Sequence, residues 1–356
     1  MNAMINKLPR PPEKKTGWPW TLPRSWREGK IKSPLDLPLV SVVTPSLNQD
    51  KFLEETIRSV LIQDYPHLEY IIIDGGSTDD SVPIIKKYEK WLSTWVSEPD
   101  KGHAHAINKG WKTAKGTYVT WLNSDDFLYP HSLKESVKVM ERNSAVHLTY
   151  GNVARVNVLS QPCDIDFKGG SFDLKEMLVY WKNPVPQPGF LMRRSVIDQI
   201  GFLDESYLFS FDFEYWIRMA ANQLKGKHIP RKLAAFRIHK QTKTSRIQDV
   251  RVRDRFKLCE QYFQDERLSQ KFRKEYHKKS KNRLYMNAAD IFYQRDCPEL
   301  LRKYAKKGIQ ESKFNYPAYI YFVISLLGRK GILVIKKKYR MIKGLFLRPK
   351  RYELRK

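Results

Sequence analysis

Short apolar runs and helical patterns alternate along the first third of the chain. The segment "LPLVSVVTP" has the β-branched and apolar character of a buried strand, and after Pro45 the apolar residues Leu53, Ile57, Val60 and Leu61 follow helical spacing. The same unit recurs in "LEYIIID" and "STWVSEPD", followed by helical patterns near 82–91 and 104–113, and "GTYVTWLNSDD" ends the series. The pattern predicts four strands alternating with three helices.

This alternation decides the predicted fold class, which is α/β. Strands joined by helical crossovers form a mostly parallel sheet with helices on both faces. Ligands bind beyond the carboxyl ends of the strands in such an open sheet. The polar residues that end the predicted strands should therefore share one edge; they are Thr44-Pro45, Asp74, Asp100 and Asn123 to Asp126.

Composition divides the chain into three segments. Residues 1–36 are rich in Pro, Lys and Trp without a period, which predicts an extended N-terminal arm. Residues 37–245 form the α/β domain, with the regular half at 37–126 and a less regular half at 127–245. Residues 246–356 contain basic amphipathic patterns, which predict a basic helical C-terminal extension.

The charge is concentrated in the last segment. The formal net charge is +27, and from Gln241 onward 32 Lys or Arg stand against 11 Asp or Glu. A charge of this size alone would permit nucleic-acid binding. The sequence shows no RRM, KH or helix-turn-helix pattern, so we expect no nucleic-acid partner and keep that function as an alternative supported by charge only.

The C-terminal extension also contains an apolar stretch, Ala318 to Leu327. A bilayer requires about 20 apolar residues, so this stretch should not span one. Apolar residues followed by "KKKYR" and "RPKRYELRK" suit a helix at an anionic membrane surface. The alternative is a solvated basic tail that packs partly on the domain.

Three cysteines, Cys163, Cys259 and Cys297, lie far apart in the sequence. Their number and spacing suggest neither a disulfide framework nor a zinc site. The first 20 residues contain no apolar signal region. We therefore expect a cytoplasmic protein, attached peripherally to the inner face of the plasma membrane if the extension binds lipid.

The carboxylates at the predicted sheet edge imply a cation. Clustered carboxylates repel one another unless protons or cations neutralise them. Oxygen ligands favour Mg²⁺ or Mn²⁺, and Mg²⁺ completes its shell with phosphate oxygens and water. The sequence therefore predicts a metal and a phosphorylated ligand such as a nucleotide diphosphate.

Six segments in order resemble the family 2 glycosyltransferases of the GT-A fold: "VSVVTPSLNQ", "IIIDGGSTDDS", "SEPDKGHAHAINKG", "TWLNSDD", "FSFDFEYWIRMA" and "FRIHKQTKTS". The resemblance covers about residues 38–245. It implies a GT-A-like, Rossmann-type sheet, with 37–126 as the nucleotide-binding half and 127–245 as the acceptor half. It further implies inverting transfer of a sugar from a nucleotide diphosphate sugar, usually UDP-linked, to a hydroxyl of a saccharide or lipid-linked acceptor, in cell-surface polysaccharide synthesis.

The same resemblance implies roles for individual residues. Asp212 would be the general base, and Asp125 and His239 would bind Mg²⁺ or Mn²⁺. Asn123 occupies the first position of the family's D-x-D motif, where its amide can still bond a ribose hydroxyl but carries no charge. Phe211 stands where a glutamate often precedes the base. The residues implied to bind the nucleotide sugar are Thr44, Pro45, Asn48, Asp74, Asp100, Lys101, Asn123 and Ser124.

Several alternatives remain open at this level. A sugar-nucleotide pyrophosphorylase would share the sheet and the metal, but "TPSLNQD" lacks the Gly-rich basic loop that such an enzyme needs. Asp126 is either a second site carboxylate or a cap for the next segment. His103 and His105 are either helix-start residues or acceptor contacts. Trp111, Trp121 and Trp216 are predicted to belong to the core.

Overall fold

The computed structural model of the protein describes residues 4–22, 37–163, 165–239 and 248–346. The chain forms two compact units. The first, called the sheet unit, contains Met1–Leu178 and Lys182–Asp254, and the second, called the helical unit, contains Val179–Trp181 and Arg255–Lys356. The units divide at Asp254, whereas the predicted boundary at 245 lies outside the described residues.

The strand and helix alternation predicted for residues 37–126 is present. The strands are β1 (Val40–Ser46), β2 (Leu68–Asp74), β3 (Thr94–Ser97) and β4 (Tyr118–Trp121), and the helices between them are α1 (Asp50–Leu61), α2 (Ser81–Lys87) and α3 (His103–Thr113). β1 pairs in parallel with both β2 and β4, and β2 pairs in parallel with β3. The predicted helix near 82–91 is divided between α2 and a 3-10 turn, Glu89–Trp91.

The second half of the sheet unit adds shorter elements. They are β5 (Phe127–Leu128), α4 (Ser132–Glu141), β6 (Leu148–Val156), α5 (Leu174–Leu178), β7 (Leu191–Arg193), α6 (Ser195–Ile200), α7 (Phe211–Ala221) and β8 (Gly226–Arg237). The eight-stranded sheet has the order β3-β2-β1-β4-β7-β6-β8-β5. The pairs β4–β7, β6–β7 and β5–β8 are antiparallel, and β6–β8 is parallel. The predicted α/β class with a mostly parallel sheet is confirmed.

The core of the sheet unit follows the predicted pattern. Leu53, Ile57 and Val60 are fully buried on α1. Trp111, Trp121 and Trp216 are also buried, which confirms their assignment to the core, and the rings of Trp121 and Trp216 stack with centroids 6.0 Å apart. Each fully buried side chain of this size contributes on the order of 1.5–3 kcal/mol to folding.

The first described segment, residues 4–22, differs from the predicted extended arm. It forms turns that bury Leu8 and Trp20. The guanidinium of Arg58 is also buried, and it donates hydrogen bonds to the carbonyl oxygens of Pro9 (2.8 Å), Pro19 (3.4 Å) and Trp20 (3.4 Å). A buried charge requires such acceptors, so this residue fixes the segment on α1. The rest of the predicted arm, 23–36, lies outside the described residues.

The predicted helical extension is present. It comprises α8 (Gln248–Gln264), α9 (Gln270–Gln294), α10 (Pro298–Glu311), α11 (Tyr316–Leu326) and α12 (Gly328–Phe346), and the first residues of α8 belong to the sheet unit. Within the described part of the chain, no individual helix is both long enough and apolar enough to cross a bilayer. The pair Tyr316–Leu326 and Gly328–Lys338 passes that test jointly, with a bend of 119° between the two helices.

Candidate active site

The carboxyl ends of β1, β2 and β3 meet at one edge of the sheet, as predicted. The backbone N–H of Gly75, just after β2, donates to the carbonyl oxygen of Ser46 at the end of β1 (2.8 Å). Gly75 also lies against Asp100, because a Cβ added to this glycine would come within 2.5 Å of the Asp100 Oδ2 atom. A side chain at position 75 would have to displace the Asp100 carboxylate, so the loops after the three strands lie close together and form a single wall.

The carboxylate of Asp74 is fully buried at this edge and accepts hydrogen bonds from its own loop and from β3. Its Oδ2 accepts hydrogen bonds from the Ser77 N–H (2.8 Å) and the Ser97 hydroxyl (2.7 Å), and its Oδ1 accepts from the Ser77 hydroxyl (2.5 Å). These bonds hold the loop after β2 against β3. The predicted contact of Asp74 with a nucleotide base remains a prediction.

The other residues predicted to bind the nucleotide sugar lie along the same wall. Asn48 adopts a φ of 52°, and its Oδ1 accepts from the Thr78 N–H (2.8 Å), which joins the loop after β1 to the loop after β2. Thr44 and Pro45 are buried within β1, and the Thr44 hydroxyl lies 3.0 Å from the Tyr70 hydroxyl. Lys101 is exposed just before α3. The side chain of Asp100 accepts a 2.7 Å hydrogen bond from the Gly102 N–H.

The side chain of Asn123 is held by three neighbours. Its amide nitrogen donates to Gln187 Oε1 (2.9 Å) and Asp126 Oδ2 (3.2 Å). Its oxygen lies 3.0 Å from His103 Nε2, and because an amide oxygen can only accept, the imidazole carries its proton on Nε2. His103, the first residue of α3, thus belongs to the site wall. Gln187 was not predicted; the polar residue within "NPVPQPGF" is the signal that could have indicated it.

Asp126 has a structural role next to the site. It is fully buried, and its Oδ1 accepts a hydrogen bond from the backbone N–H of Arg237 (2.9 Å). Burial, reinforced by the neighbouring carboxylate of Asp125, raises the pKa of Asp126 well above its usual value. Asp126 therefore connects the loop after β4 to the end of β8 and is not a cap of the next segment.

Asp125 and His239, the two predicted metal ligands, are direct neighbours although 114 residues separate them. His239 Nε2 lies 2.9 Å from Asp125 Oδ2. The side chain of Asp125 retains 20% of its accessible surface, whereas that of His239 retains 6% and packs against the ring of Phe52. The structure thus places one carboxylate oxygen and one imidazole nitrogen side by side at the sheet edge. Ser124, the residue before Asp125, is buried.

These two donors fit a divalent cation that is shared with a phosphorylated ligand. Within the described ranges, no group of three or more His, Cys, Asp or Glu side chains could hold a metal. Mg²⁺ commonly takes only one or two carboxylates and receives its other ligands from phosphate and water, and imidazole and carboxylate both suit Mn²⁺. A partial ligand set is therefore the arrangement expected for an ion held jointly by protein and substrate.

Arg237, which was not predicted as a site residue, connects the loop of Asp125 to the strand end that carries His239. Its Nε donates to the carbonyl oxygen of Asp125 (2.8 Å), and its Nη2 forms an ion pair with Glu55 (3.0 Å). Both side chains of the ion pair are almost fully buried. Arg237 also precedes His239 by two residues at the end of β8, so one guanidinium fixes the loop with the carboxylate relative to the strand with the imidazole.

Asp212, the predicted general base, is the second residue of α7. Its Oδ1 accepts a hydrogen bond from the backbone N–H of Phe213 (2.7 Å), within the first helical turn. The ring of Phe211 packs edge-on against His103, with centroids 5.1 Å apart. Because His103 also contacts Asn123, the start of α7 is connected to the wall predicted to bind the donor.

Two residues of α8 hold the segment that presents Asp212. Asp254, which is 7% exposed, accepts hydrogen bonds through Oδ2 from the backbone N–H groups of Phe209 and Ser210, both at 2.9 Å. Burial lowers the pKa of Arg251, and the nearby carboxylate of Asp212 opposes that shift. Both α8 residues lie beyond the region of resemblance, so no motif could indicate them.

Sequence comparisons agree with this geometry. The sequence model of Glycosyl transferase family 2 matches residues 41–201. An uncharacterized glycosyltransferase of Mycobacterium tuberculosis is 32% identical over 187 residues, which cover 51% of this chain and 69% of the relative. One of Haemophilus influenzae is 32% identical over 159 residues, covering 41% of this chain and 63% of the relative. A putative teichuronic acid biosynthesis glycosyltransferase, TuaG of Bacillus subtilis, is 41% identical over 116 residues, covering 32% and 46%.

Solved structures share the fold at low sequence identity. S. aureus TarS, residues 1–349, in complex with UDP-GlcNAc has a TM-score of 0.58 and 17% identity, with 85% of this chain and 92% of that chain covered. A mannosyltransferase of Pyrobaculum calidifontis in complex with GDP-Man and Mn²⁺ has a TM-score of 0.54 and 16% identity, with 87% and 90% covered. At these identities the likeness establishes the fold.

Proposed function

The chain belongs to Glycosyl transferase family 2 and is a transferase, and from that premise we propose that it is a metal-dependent inverting glycosyltransferase. The donor would be a nucleotide diphosphate sugar, and the acceptor a hydroxyl of a saccharide or lipid-linked saccharide. The observation that carries this proposal is the contact between Asp125 and His239 at the carboxyl edge of the sheet, to which the residues predicted to bind the donor also belong.

Asp125 and His239 would hold the cation in this mechanism. A bound Mg²⁺ or Mn²⁺ supplies charge that stabilises the departing diphosphate. The protein contributes the position of that charge, because Arg237 fixes the loop of Asp125 beside the strand end of His239. Asn123, held by Gln187 and His103, would present its amide to the donor's ribose.

Asp212 would take the proton of the acceptor hydroxyl. A general base must reach that oxygen while the anomeric carbon lies on its other side, which gives a single displacement with inversion. The contact of Phe211 with His103, which itself contacts Asn123, supports a position of Asp212 near the proposed donor site.

Two names among the relatives support finer parts of the proposal. TarS has been solved with UDP and UDP-GlcNAc, which favours a uridine donor, although the Pyrobaculum enzyme contains GDP-Man. TuaG is named for teichuronic acid biosynthesis, which favours a role in cell-surface polysaccharide synthesis. A thermal-shift panel of UDP- and GDP-sugars with Mg²⁺ or Mn²⁺ identifies the donor, because a ligand that binds the folded state raises the melting temperature.

The test of the mechanism is the Asp212→Asn variant. We expect turnover to fall by about 10²–10⁴-fold, the usual contribution of a general base, while calorimetry still detects binding of the donor. Asp198→Asn on α6 is the matched control, since Asp198 is exposed and lies outside the site, and it should retain normal turnover. Near-normal turnover of Asp212→Asn would show that another group is the base.

The helical unit supports a peripheral location at the inner face of the plasma membrane. Exposed apolar side chains lie along one face of α11 and continue to the start of α12; they are Tyr316, Tyr319, Ile320, Val323, Leu326 and Leu327. A face of this kind with nearby lysines suits the interface of an anionic bilayer. The predicted basic tail at 348–356 lies outside the described residues.

Vesicle sedimentation tests this location on the full chain. The double variant Ile320→Glu/Val323→Glu places two charges on the apolar face, so binding to vesicles of phosphatidylglycerol and phosphatidylcholine should be lost. Leu159→Glu is the control, because Leu159 is equally exposed but belongs to the sheet unit. If the double variant sediments as the unsubstituted protein does, the face on α11 does not contact the membrane.

A further inference from the structure

A cavity lined by four lysines and one glutamate lies outside the candidate active site. It has a volume of about 400 Å³ and is bounded by the first described segment, the end of α2 and the 3-10 turn. We call it the lysine pocket, defined by Lys7, Lys86, Lys87, Lys90 and Trp91. The lining also contains one carboxylate, that of Glu89, which accepts a hydrogen bond from the Trp95 indole N–H (2.9 Å). Its volume lies within the range of about 300–1,000 Å³ that is usual for small-molecule sites.

The lysine pocket belongs to the opposite edge of the sheet from the candidate active site. α2 leaves the carboxyl end of β2 and returns the chain to the amino end of β3, so its last residue, Lys87, lies at the amino edge. Trp91 precedes the first residue of β3, Thr94, by three positions. A ligand in this pocket is therefore distinct from the sugar donor, which the carboxyl edge would bind.

Buried side chains next to the lining hold the segments that carry it. The Arg58 guanidinium donates to the carbonyl oxygen of Pro9 (2.8 Å) and to the hydroxyl of Tyr88 (3.2 Å). Tyr88 is fully buried and Leu8 nearly so, although Leu8 lies in a segment without helix or strand. The walls are thus fixed on α1 and α2 before any ligand binds, which reduces the entropic cost of binding.

The charges around the pocket are unbalanced. Lys87 forms an ion pair with Glu54 (2.7 Å), but in the described ranges no ion pair involves Lys7, Lys86 or Lys90. The amine of Lys90 lies 4.2 Å from the centroid of the Trp91 ring. Like charges gathered around a concave surface raise the local potential and attract an anion.

We propose that the lysine pocket binds a phosphate ester. Lysine amines bind phosphate as mobile point charges, and the Trp91 ring keeps the Lys90 amine beside the same cavity. The phosphate could belong to a soluble ester or to a phospholipid headgroup. In either case the pocket holds a phosphorylated molecule at the edge of the sheet remote from the reaction, as a separate anchoring site.

Calorimetric titration of the full chain with glycerol 3-phosphate tests the shared chemistry. The double variant Lys86→Glu/Lys90→Glu should weaken binding by about tenfold or more, because it reverses two charges of the lining. Lys138→Glu is the matched control; Lys138 is an equally exposed lysine on α4, and its substitution should leave binding unchanged. Asp125→Ala should also leave binding unchanged, which separates this pocket from the proposed donor site.

Vesicles containing phosphatidylglycerol distinguish the two sources of phosphate. They are used with the Ile320→Glu/Val323→Glu chain, so that the proposed membrane face on α11 does not contribute. The proposal is supported if one of the two probes binds and Lys86→Glu/Lys90→Glu removes that binding. Glycerol 3-phosphate would then indicate a soluble ester, and the vesicles would indicate a phospholipid headgroup. The proposal is overturned if neither probe binds, if the lysine reversal binds both probes as before, or if Asp125→Ala is the substitution that removes binding.

Discussion

The sheet unit and the helical unit differ in where they place charged and large apolar side chains. The sheet unit buries charged residues, and each has partners: Arg237 with Glu55, Arg58 with three carbonyl oxygens, Asp74 with its own loop. Both units expose some large apolar side chains, but those of the helical unit are concentrated on α11 and its flanks, of which Phe314 (83%) and Ile320 (60%) are examples.

This difference suggests which part of each unit has a function in addition to stabilising the fold. Burying a charge is costly unless it is paired, and the Arg237 pair lies directly behind Asp125, where the chemistry is proposed. Contiguous exposed apolar surface is unfavourable in water and usually marks a binding surface. We infer that the buried charges of the sheet unit keep the candidate active site in place, and that the exposed apolar side chains of the helical unit form a binding surface.

The largest expected effect on stability comes from breaking the buried pair of the sheet unit. Arg237→Ala leaves Glu55 buried without its partner, and we expect a loss of about 3–5 kcal/mol in the free energy of unfolding. Urea titration followed by circular dichroism measures it. Arg231→Ala is the control, because its ion pair with Glu135 is exposed and should contribute at most about 1 kcal/mol. Equal losses in the two variants would contradict the importance given to the buried pair.

A matched pair of isoleucines tests the contrast between the units directly. Ile57 on α1 is fully buried and Ile320 on α11 is 60% exposed. We expect Ile57→Ala to lower the free energy of unfolding by about 2–5 kcal/mol, because it leaves a cavity. Ile320→Ala should change it by no more than about 0.5 kcal/mol. If Ile320→Ala were as destabilising as Ile57→Ala in urea, the apolar face of α11 would be part of a core.

The parts of the fold that were predicted depend on local pattern. Each of the first four strands is a short apolar run that ends at a polar residue, and parallel pairing then brings those ends to one edge regardless of loop detail. The assignment of Trp121 and Trp216 to the core follows for the same reason, since each lies in an apolar element.

The parts that were missed depend on contacts between distant residues. Arg237 bonds to the Asp125 carbonyl across 112 residues, and Gln187 reaches Asn123 across 64, so local spacing does not reveal the partner of either residue, even though a polar residue within "NPVPQPGF" marks Gln187 as unusual. The segment 4–22 has no period, and its order comes from Arg58, whose position on a helix face suggests solvent exposure. The burial of Arg58 and Arg237 is therefore the feature of this structure that the sequence pattern predicts least well.

Asp254, the last residue of the sheet unit, tests whether α8 positions the start of α7. Asp254→Ala removes the acceptor of two backbone N–H groups before α7, which should cost about 1–3 kcal/mol. We also expect kcat to fall while the dissociation constant of the donor stays constant, because Asp212 follows on that helix. Asp254→Asn should retain most of kcat, since Asp254 accepts both hydrogen bonds through one oxygen and an asparagine also has one side-chain oxygen. A change in donor affinity alone would contradict this positioning role.

The smallest effect on stability near neutral pH is expected from the thiol of Cys259, in the core of the helical unit. Burial raises the pKa of its thiol from 9.0 to about 11, and alkylation requires the thiolate. Iodoacetamide at about pH 8 should therefore modify the partly exposed Cys163 and Cys297 but not Cys259, and all three in urea, as mass spectrometry of peptides would show. Because the folded pKa is raised, the neutral thiol favours folding fully below pH 9.0, and this contribution is lost as the pH rises toward 11. Native modification of Cys259 as fast as that of Cys297 would mean that the helical unit opens readily, so that the contrast with the tightly packed sheet unit would extend from its surface to its core.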